Sequence, residues 1–190
     1  PTDVSIKKTG SFYGADFNGS TSTLITDSTD PTIWHSGFTL VAWINVFNKN
    51  VAGGRIFDKS TTTIGAGGFN SSEYQNSVGF RINAGGICSS GNFITDTHKW
   101  YFAVITVSSD AKVNFYSGDL NNAPVLSGGA DQITRGLGGI TTTNPLTIGN
   151  RSTALDRGFD GKIKMAKAYS GVLSLEDLTQ IWSSTRGKVN

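Results

Sequence analysis

The sequence predicts an all-β fold, a two-sheet antiparallel β-sandwich with one short C-terminal helix, and three observations carry that prediction. The first is the run Phe38-Thr39-Leu40-Val41-Ala42-Trp43-Ile44. Phe38, Leu40, Ala42 and Ile44 fall on one face of a strand and Val41 and Trp43 on the other. A strand that faces water alternates apolar with polar residues, so this one must be covered on both sides. The second is Trp100–Val107, which repeats the same two-faced apolar pattern. Two such strands need one face packed on a second sheet and the other covered by further chain. The third is composition: Ser and Thr total 43, and Glu occurs only at positions 73 and 176. Such a mixture is poor in helix formers and rich in turn and strand residues.

Strand-like runs follow in order near Ser11–Phe17, Ser22–Thr26, Phe38–Phe47, Gly54–Lys59, Ser77–Ile82, Gly86–Ser89, Trp100–Ser108, Lys112–Ser117, Leu146–Gly149 and Gly158–Tyr169. Gly, Asn and Ser clusters separate them, the spacing of a sandwich or barrel. Between these runs the segments Gly65–Asn76 and Leu120–Asn144 read as long loops, of the kind that are usually functional or mobile. At the C-terminus Ser174-Leu175-Glu176-Asp177 forms a capping box with Asp at its last position. Leu175, Leu178, Ile181 and Trp182 then make an apolar stripe. This helix is expected to plug one end of the sandwich.

The 190 residues contain no linker and no fixed-period repeat, which predicts a single domain over 1–190, with residues 1–9 as an N-terminal arm. The opening at Pro1 suggests a processed product or an excised domain. Net charge is +2 with no run of more than two Lys or Arg, so no nucleic-acid stripe exists. No apolar run reaches the roughly 20 residues that span a membrane. The single cysteine, Cys88, excludes an intrachain disulfide and a multi-thiolate metal site. The sequons at Asn18, Asn70 and Asn150 are no more than an Asn- and Ser/Thr-rich chain yields by chance.

Several segments, taken in order, carry a family resemblance. They are Phe17-Asn18-Gly19, Ser36 through Ile44, Ile56-Phe57-Asp58-Lys59, Lys99 through Val104, Val113 through Gly118, Leu146-Thr147-Ile148-Gly149, Phe159-Asp160-Gly161-Lys162-Ile163, and Tyr169 through Leu178. Over about residues 10–182 the chain resembles the laminin-G-like, concanavalin A-like jelly-roll family. The resemblance implies one concave and one convex antiparallel sheet, with loops gathered at the concave rim. It also implies an acidic residue after the last Gly-x-Ile, which in many relatives helps to hold a structural calcium. Here Lys164-Met165 stands in that place, and an ammonium cannot be a ligand, although it supplies positive charge. The loop with Asp27 and Asp30 is the remaining source of oxygen ligands for a structural Ca2+. A second departure is the hairpin after Tyr116, where Ser117-Gly118 replaces the family's Asp-Gly and is expected to turn through Gly118.

Glycanases of this fold use paired carboxylates two residues apart on one strand, and no such pair occurs. His35 and His98 each precede a core strand, and neither is near Cys88 in sequence, so no nucleophilic pair is inferred. No enzyme is expected. Sugar binding needs an apolar platform and fixed polar groups. The candidates are Trp34, Tyr74, Asn70, Asn92, Arg151, Asp156 and Arg157. Trp34 serves either as a platform or as core packing. Tyr74 lies in a Gly/Asn/Ser-rich loop. Arg151, Asp156 and Arg157 crowd the turn before the last long strand, as a binding group or a solvated ion-pair cluster. Trp43 and Trp100 are assigned to core, and Trp182 to helix docking.

The residues and the resemblance together imply a non-catalytic carbohydrate-binding or adhesion module, lectin-like and extracellular, whose partner is a glycan or surface polysaccharide. The alternative is a structural or decoration domain of a virion or cell-surface assembly, partnered by neighbouring copies or other subunits through the Pro1–Lys8 arm.

Overall fold

A computed structural model of the protein describes residues 3–4, 15–20, 23–25, 30–48, 54–60, 69–73, 80–83, 87–90, 94–132, 137–151 and 154–189. Its strands are β1 (Asp3–Val4), β2 (Ala15–Asn18), β3 (Leu24–Ile25), β4 (Phe38–Val46), β5 (Arg55–Lys59), β6 (Phe69–Glu73) and β7 (Phe80–Asn83). They continue as β8 (Ile87–Ser89), β9 (Trp100–Val107), β10 (Lys112–Asp119), β11 (Val125–Gln132), β12 (Thr147–Ile148) and β13 (Asp160–Ser170), followed by helix α1 (Leu175–Thr185). They form two antiparallel sheets. The larger runs β1-β13-β4-β9-β10-β11, with β2 also on β13, and the smaller runs β3-β12-β5-β6-β7-β8.

The two-faced strands sit where their pattern requires. β4 lies between β13 and β9 in the larger sheet. Its residues Phe38, Leu40, Ala42 and Ile44 join Tyr101, Ala103, Ile105 and Phe115 in the inner core, against Ile56, Phe57 and Ile148 of the smaller sheet. Val41 and Trp43, with Phe102 and Val104, form a second apolar layer on the outer face.

That outer layer is covered by α1, which therefore lies across the face of the larger sheet and does not plug an end of the sandwich. Leu178, Trp182 and Val189 pack on it. The Trp43 indole donates to Thr185 Oγ1 at 2.8 Å, and the Trp182 indole donates to the carbonyl of Asp119 at 2.7 Å. These two bonds fix the docking angle, because each satisfies an N–H that apolar packing would otherwise strand. The capping box is present in full, with Ser174 Oγ accepting from Asp177 N and the Asp177 carboxylate accepting from Ser174 N.

Three further expectations change. Residues 69–73 and 125–132, read as loop, are strands β6 and β11. β6 is polar throughout after Phe69, and β11 carries two bulges against β10, which erase the period-two signal. The hairpin does not turn at Gly118, which pairs with Phe102 inside β10. It turns at Asp119, whose Oδ1 accepts from the N–H groups of Asn121 and Asn122. Within the segment read as an arm, Asp3 and Val4 pair with Tyr169 and Ala168 of the chain's own β13.

β13 is itself bulged between Lys164 and Lys167, and Met165 there has φ 51°. Ile163, Ala166 and Ala168 meet the inner core, whereas Met165 and Tyr169 pack on the outer layer. Lys164 reaches along that outer layer to donate to Val189 O at 3.0 Å, and its ammonium lies 5.3 Å from the Trp100 ring centroid.

Candidate ligand-binding surface

A bulge in β5 organises the smaller sheet. Arg55 opposes Ser72 of β6 and Phe57 opposes Ser71, which leaves Ile56 without an opposite number. Ile56 and Phe57 both enter the core, and Arg55 and Asp58 come together on the other face. Arg55 Nε lies 3.1 Å from Asp58 Oδ2, with the two side chains 3% and 0% exposed. Ser60 donates to Asp58 Oδ1 from its backbone N–H (3.0 Å) and from its hydroxyl (2.8 Å). Burial pushes the Asp58 carboxyl up from its ordinary value, while the Ser60 bonds and the charges of Arg55 and Arg151 pull it down. The strand register extends this row across the sheet as Thr147, Asp58, Asn70 and Asn83.

The turn from β12 to β13 lies beside this row. Gly149 has φ 84°, and a Cβ there would fall within the ring of Phe17. Its N–H donates to Ile56 O at 3.2 Å, and its carbonyl accepts from Phe159 at 2.8 Å. The fully buried side chain of Asn150 then staples the loop. Its Oδ1 accepts from the N–H groups of Arg151 (2.8 Å) and Arg157 (3.1 Å), and its amide donates to Ser20 O. Arg157 O in turn accepts from Arg55 N at 2.9 Å. The loop base is thus tied to the row at backbone level, while 154–156 are exposed at its tip. Arg151 Nη2 meets Asp156 Oδ2 at 2.6 Å, the arginine side chain being 12% exposed and the aspartate 48%.

Lys59, one residue beyond Asp58, is buried, and its ammonium donates to Asn144 O at 2.6 Å. Asn144 returns a bond from Nδ2 to Ser60 O at 2.8 Å. Burial lowers the Lys59 amine to about 8 against the opposing charge of Asp30.

Of the sequence candidates, Arg151, Asp156 and Arg157 are brought together in this loop. Asn70 occupies the row beside Asp58; nothing further is described of its side chain. Tyr74 and Asn92 lie outside the described residues. Trp34 cannot serve as a platform, because it is 0% exposed and packs edge-on to Phe38 at 5.5 Å. Cys88 is buried in the inner core. The His35 ring bonds Ile140 O at 2.9 Å, and the His98 ring stacks on Phe47 at 4.7 Å.

Asp27 lies outside the described residues, and Asp30 Oδ1 accepts from Thr32 N and Oγ1, both at 2.8 Å. Among the described residues no three His, Cys, Asp or Glu gather as a metal site. At the position where the resemblance implies a calcium-holding acid, the Lys164 ammonium is engaged with Val189 O. These residues do not fit a calcium ion there.

Sequence reasoning missed Arg55, Asp58 and Asn150. On a regular strand residues three apart face opposite ways, so Arg55 and Asp58 meet only through a bulge that no local residue type announces. Asn150 was visible only as a sequon, and its burial removes it from any modification.

The two sheets, the outer helix and the loop-flanked polar row define a jelly-roll sandwich of lectin-like type. The chain belongs to the concanavalin A-like lectin/glucanases superfamily, whose laminin-G-type model matches residues 17–179. No curated protein matches it by sequence. Among solved structures it is similar to the carbohydrate-binding module CBM40 of the Ruminococcus gnavus IT-sialidase, with 14% identity, 88% of this chain and 95% of that one covered, and a TM-score of 0.68. That module is also seen bound to α2,3 sialyllactose. The chain is similar as well to a heptameric SAP-like pentraxin of Limulus polyphemus, with 17% identity, 79% and 71% covered, and a TM-score of 0.59. Against the Trypanosoma rangeli sialidase in complex with sialic acid the identity is 17%, 92% of this chain is covered and the TM-score is 0.64. The chain spans 28% of that sialidase. At these identities the likeness is one of fold. No helix among the described residues is long and apolar enough to cross a membrane.

Proposed function

We propose that the chain is a non-catalytic carbohydrate-binding module of a secreted or surface-exposed protein. Its glycan rests on the loop of Arg151, Asp156 and Arg157, with Asn70, Tyr74 and Asn92 as further contacts. The observation that carries the reading is the Asn150-stapled loop. It holds charged side chains on a rigid base, above a buried polar row that anchors the loop, which is how few polar groups orient a polyhydroxylated ligand at low entropic cost. The fold likeness to a carbohydrate-binding module that covers nearly the whole chain supports it. So does the pairing of the nearby carboxylates: Asp58 is held by Arg55 and Asp156 by Arg151, an arrangement for holding shape rather than for moving protons.

Glycan-array screening and affinity electrophoresis test the proposal. The unaltered chain is expected to be retarded by at least one polysaccharide, and Tyr74→Ala to reduce that retardation about tenfold, the worth of one sugar-stacking aromatic. Absence of binding to every polysaccharide at millimolar concentration would overturn it.

A further inference from the structure

The Arg151 guanidinium has one bidentate edge that is only half used. Nε and Nη2 present parallel N–H groups, the fork that a carboxylate fills with both oxygens. Asp156 Oδ2 takes Nη2 at 2.6 Å, whereas Nε is buried with no hydrogen-bond partner among the described residues. The pair is also unequal in burial. Arg151 is 12% exposed and fixed through its backbone to Asn150, while Asp156 is 48% exposed at the loop tip. Removing Asp156 from the pair returns its carboxylate to water at little cost, but leaves a mostly buried guanidinium seeking an anion. The surrounding charge has the same sign: Arg55, Arg151 and Arg157 outnumber Asp58 and Asp156 by one.

We propose that Arg151 anchors the carboxylate of an acidic sugar, which displaces Asp156 and fills the Nε–Nη2 edge with two hydrogen bonds. Asp156 is then an internal stand-in for the ligand, and it keeps the fork shaped until a uronic or nonulosonic acid arrives. This rests on the proposed role as a carbohydrate-binding module and adds to it the chemical class of the ligand. No covalent step is involved.

Isothermal titration of the full chain with trigalacturonate and with 3′-sialyllactose, beside methyl-esterified trigalacturonate and lactose, tests the proposal. At least one acidic ligand is expected to bind at least about tenfold tighter than its neutral counterpart, the worth of charge-assisted hydrogen bonds. Which of the two does so tells a uronic from a nonulosonic acid. Arg151→Lys keeps the charge but loses the fork, and is expected to abolish that preference. Asp156→Asn weakens the internal competitor and is expected to tighten acidic binding several-fold, an effect a purely structural ion pair would not produce. Equal affinity for acidic and neutral sugars, or acidic binding unchanged or weakened in Asp156→Asn, overturns the anchoring role and leaves the module reading standing. Failure of all four sugars and of every arrayed glycan overturns both.

Discussion

Replacing Asp58 by Ala probes the bulge in β5 most directly. The substitution removes the carboxylate that faces Arg55 at 3.1 Å and strips that counter-charge from a guanidinium whose side chain is only 3% exposed. It also deprives Ser60 N and Oγ of their acceptor. Removing one partner of a buried ion pair costs about 3–5 kcal/mol. The lost Ser60 bonds fall within the upper part of that range, because the same cavity admits relaxation and water. Asp58→Asn, which keeps an oxygen for Ser60, should cost less. The double variant Arg55→Met/Asp58→Leu should recover most of the loss, since it removes both desolvated charges together. Urea unfolding with constant m values measures all three. If Asp58→Ala cost under about 1 kcal/mol, or if the double variant lost the sum of both single losses, Arg55 and Asp58 would not act as one buried unit.

Lys59 gives a pH signature. Its amine is at about 8 when folded and near 10.5 when unfolded, so between these values the unfolded chain holds more protons and stability rises with pH. The difference in unfolding free energy between the native chain and Lys59→Met should therefore grow by up to about 3 kcal/mol between roughly pH 7.5 and 10.5; a flat difference would show that the amine is not desolvated. Gly149→Ala places a methyl inside the Phe17 ring at a positive φ. It should cost at least about 2 kcal/mol by thermal and urea unfolding, with partial recovery when Phe17 is shortened to Leu.

The main architecture was legible because burial on two faces leaves a mark that no turn or helix imitates. Phe38–Ile44 and Trp100–Val107 carried that mark, and both are central strands. Both halves of the outer interface were also visible: an apolar stripe on Leu178 and Trp182, and an uncovered layer on Val41, Trp43, Phe102 and Val104. Nothing local said that they belong together, because complementarity between distant surfaces has no period. β6 and β11 were missed for a different reason. A strand whose residues are nearly all polar, or whose alternation is reset twice by bulges, looks like loop to any rule of period two. At the site, the Arg151–Arg157 cluster showed as a crowd of charge, but Arg55, Asp58 and Asn150 depended on backbone irregularities and burial that only three dimensions supply.

The bulge at Met165 makes β13 a strand of two phases. Up to Ile163 the odd-numbered positions look into the sandwich, and from Ala166 onward the even-numbered ones do. Lys164 and Lys167 thereby share the helix side although they are an odd number apart. A chain one residue shorter at 164–165 would face β4 step for step, and Ile163, Ala166 and Ala168 would still look inward while Lys167 stayed on the helix side. The extra residue is thus absorbed by the backbone at Met165, at a φ of 51°, and not by the side chains on either face. Deletion of Met165 should cost less stability in urea unfolding than deletion of a residue from the regular stretch 160–163, which would put the alternation out of step with β4.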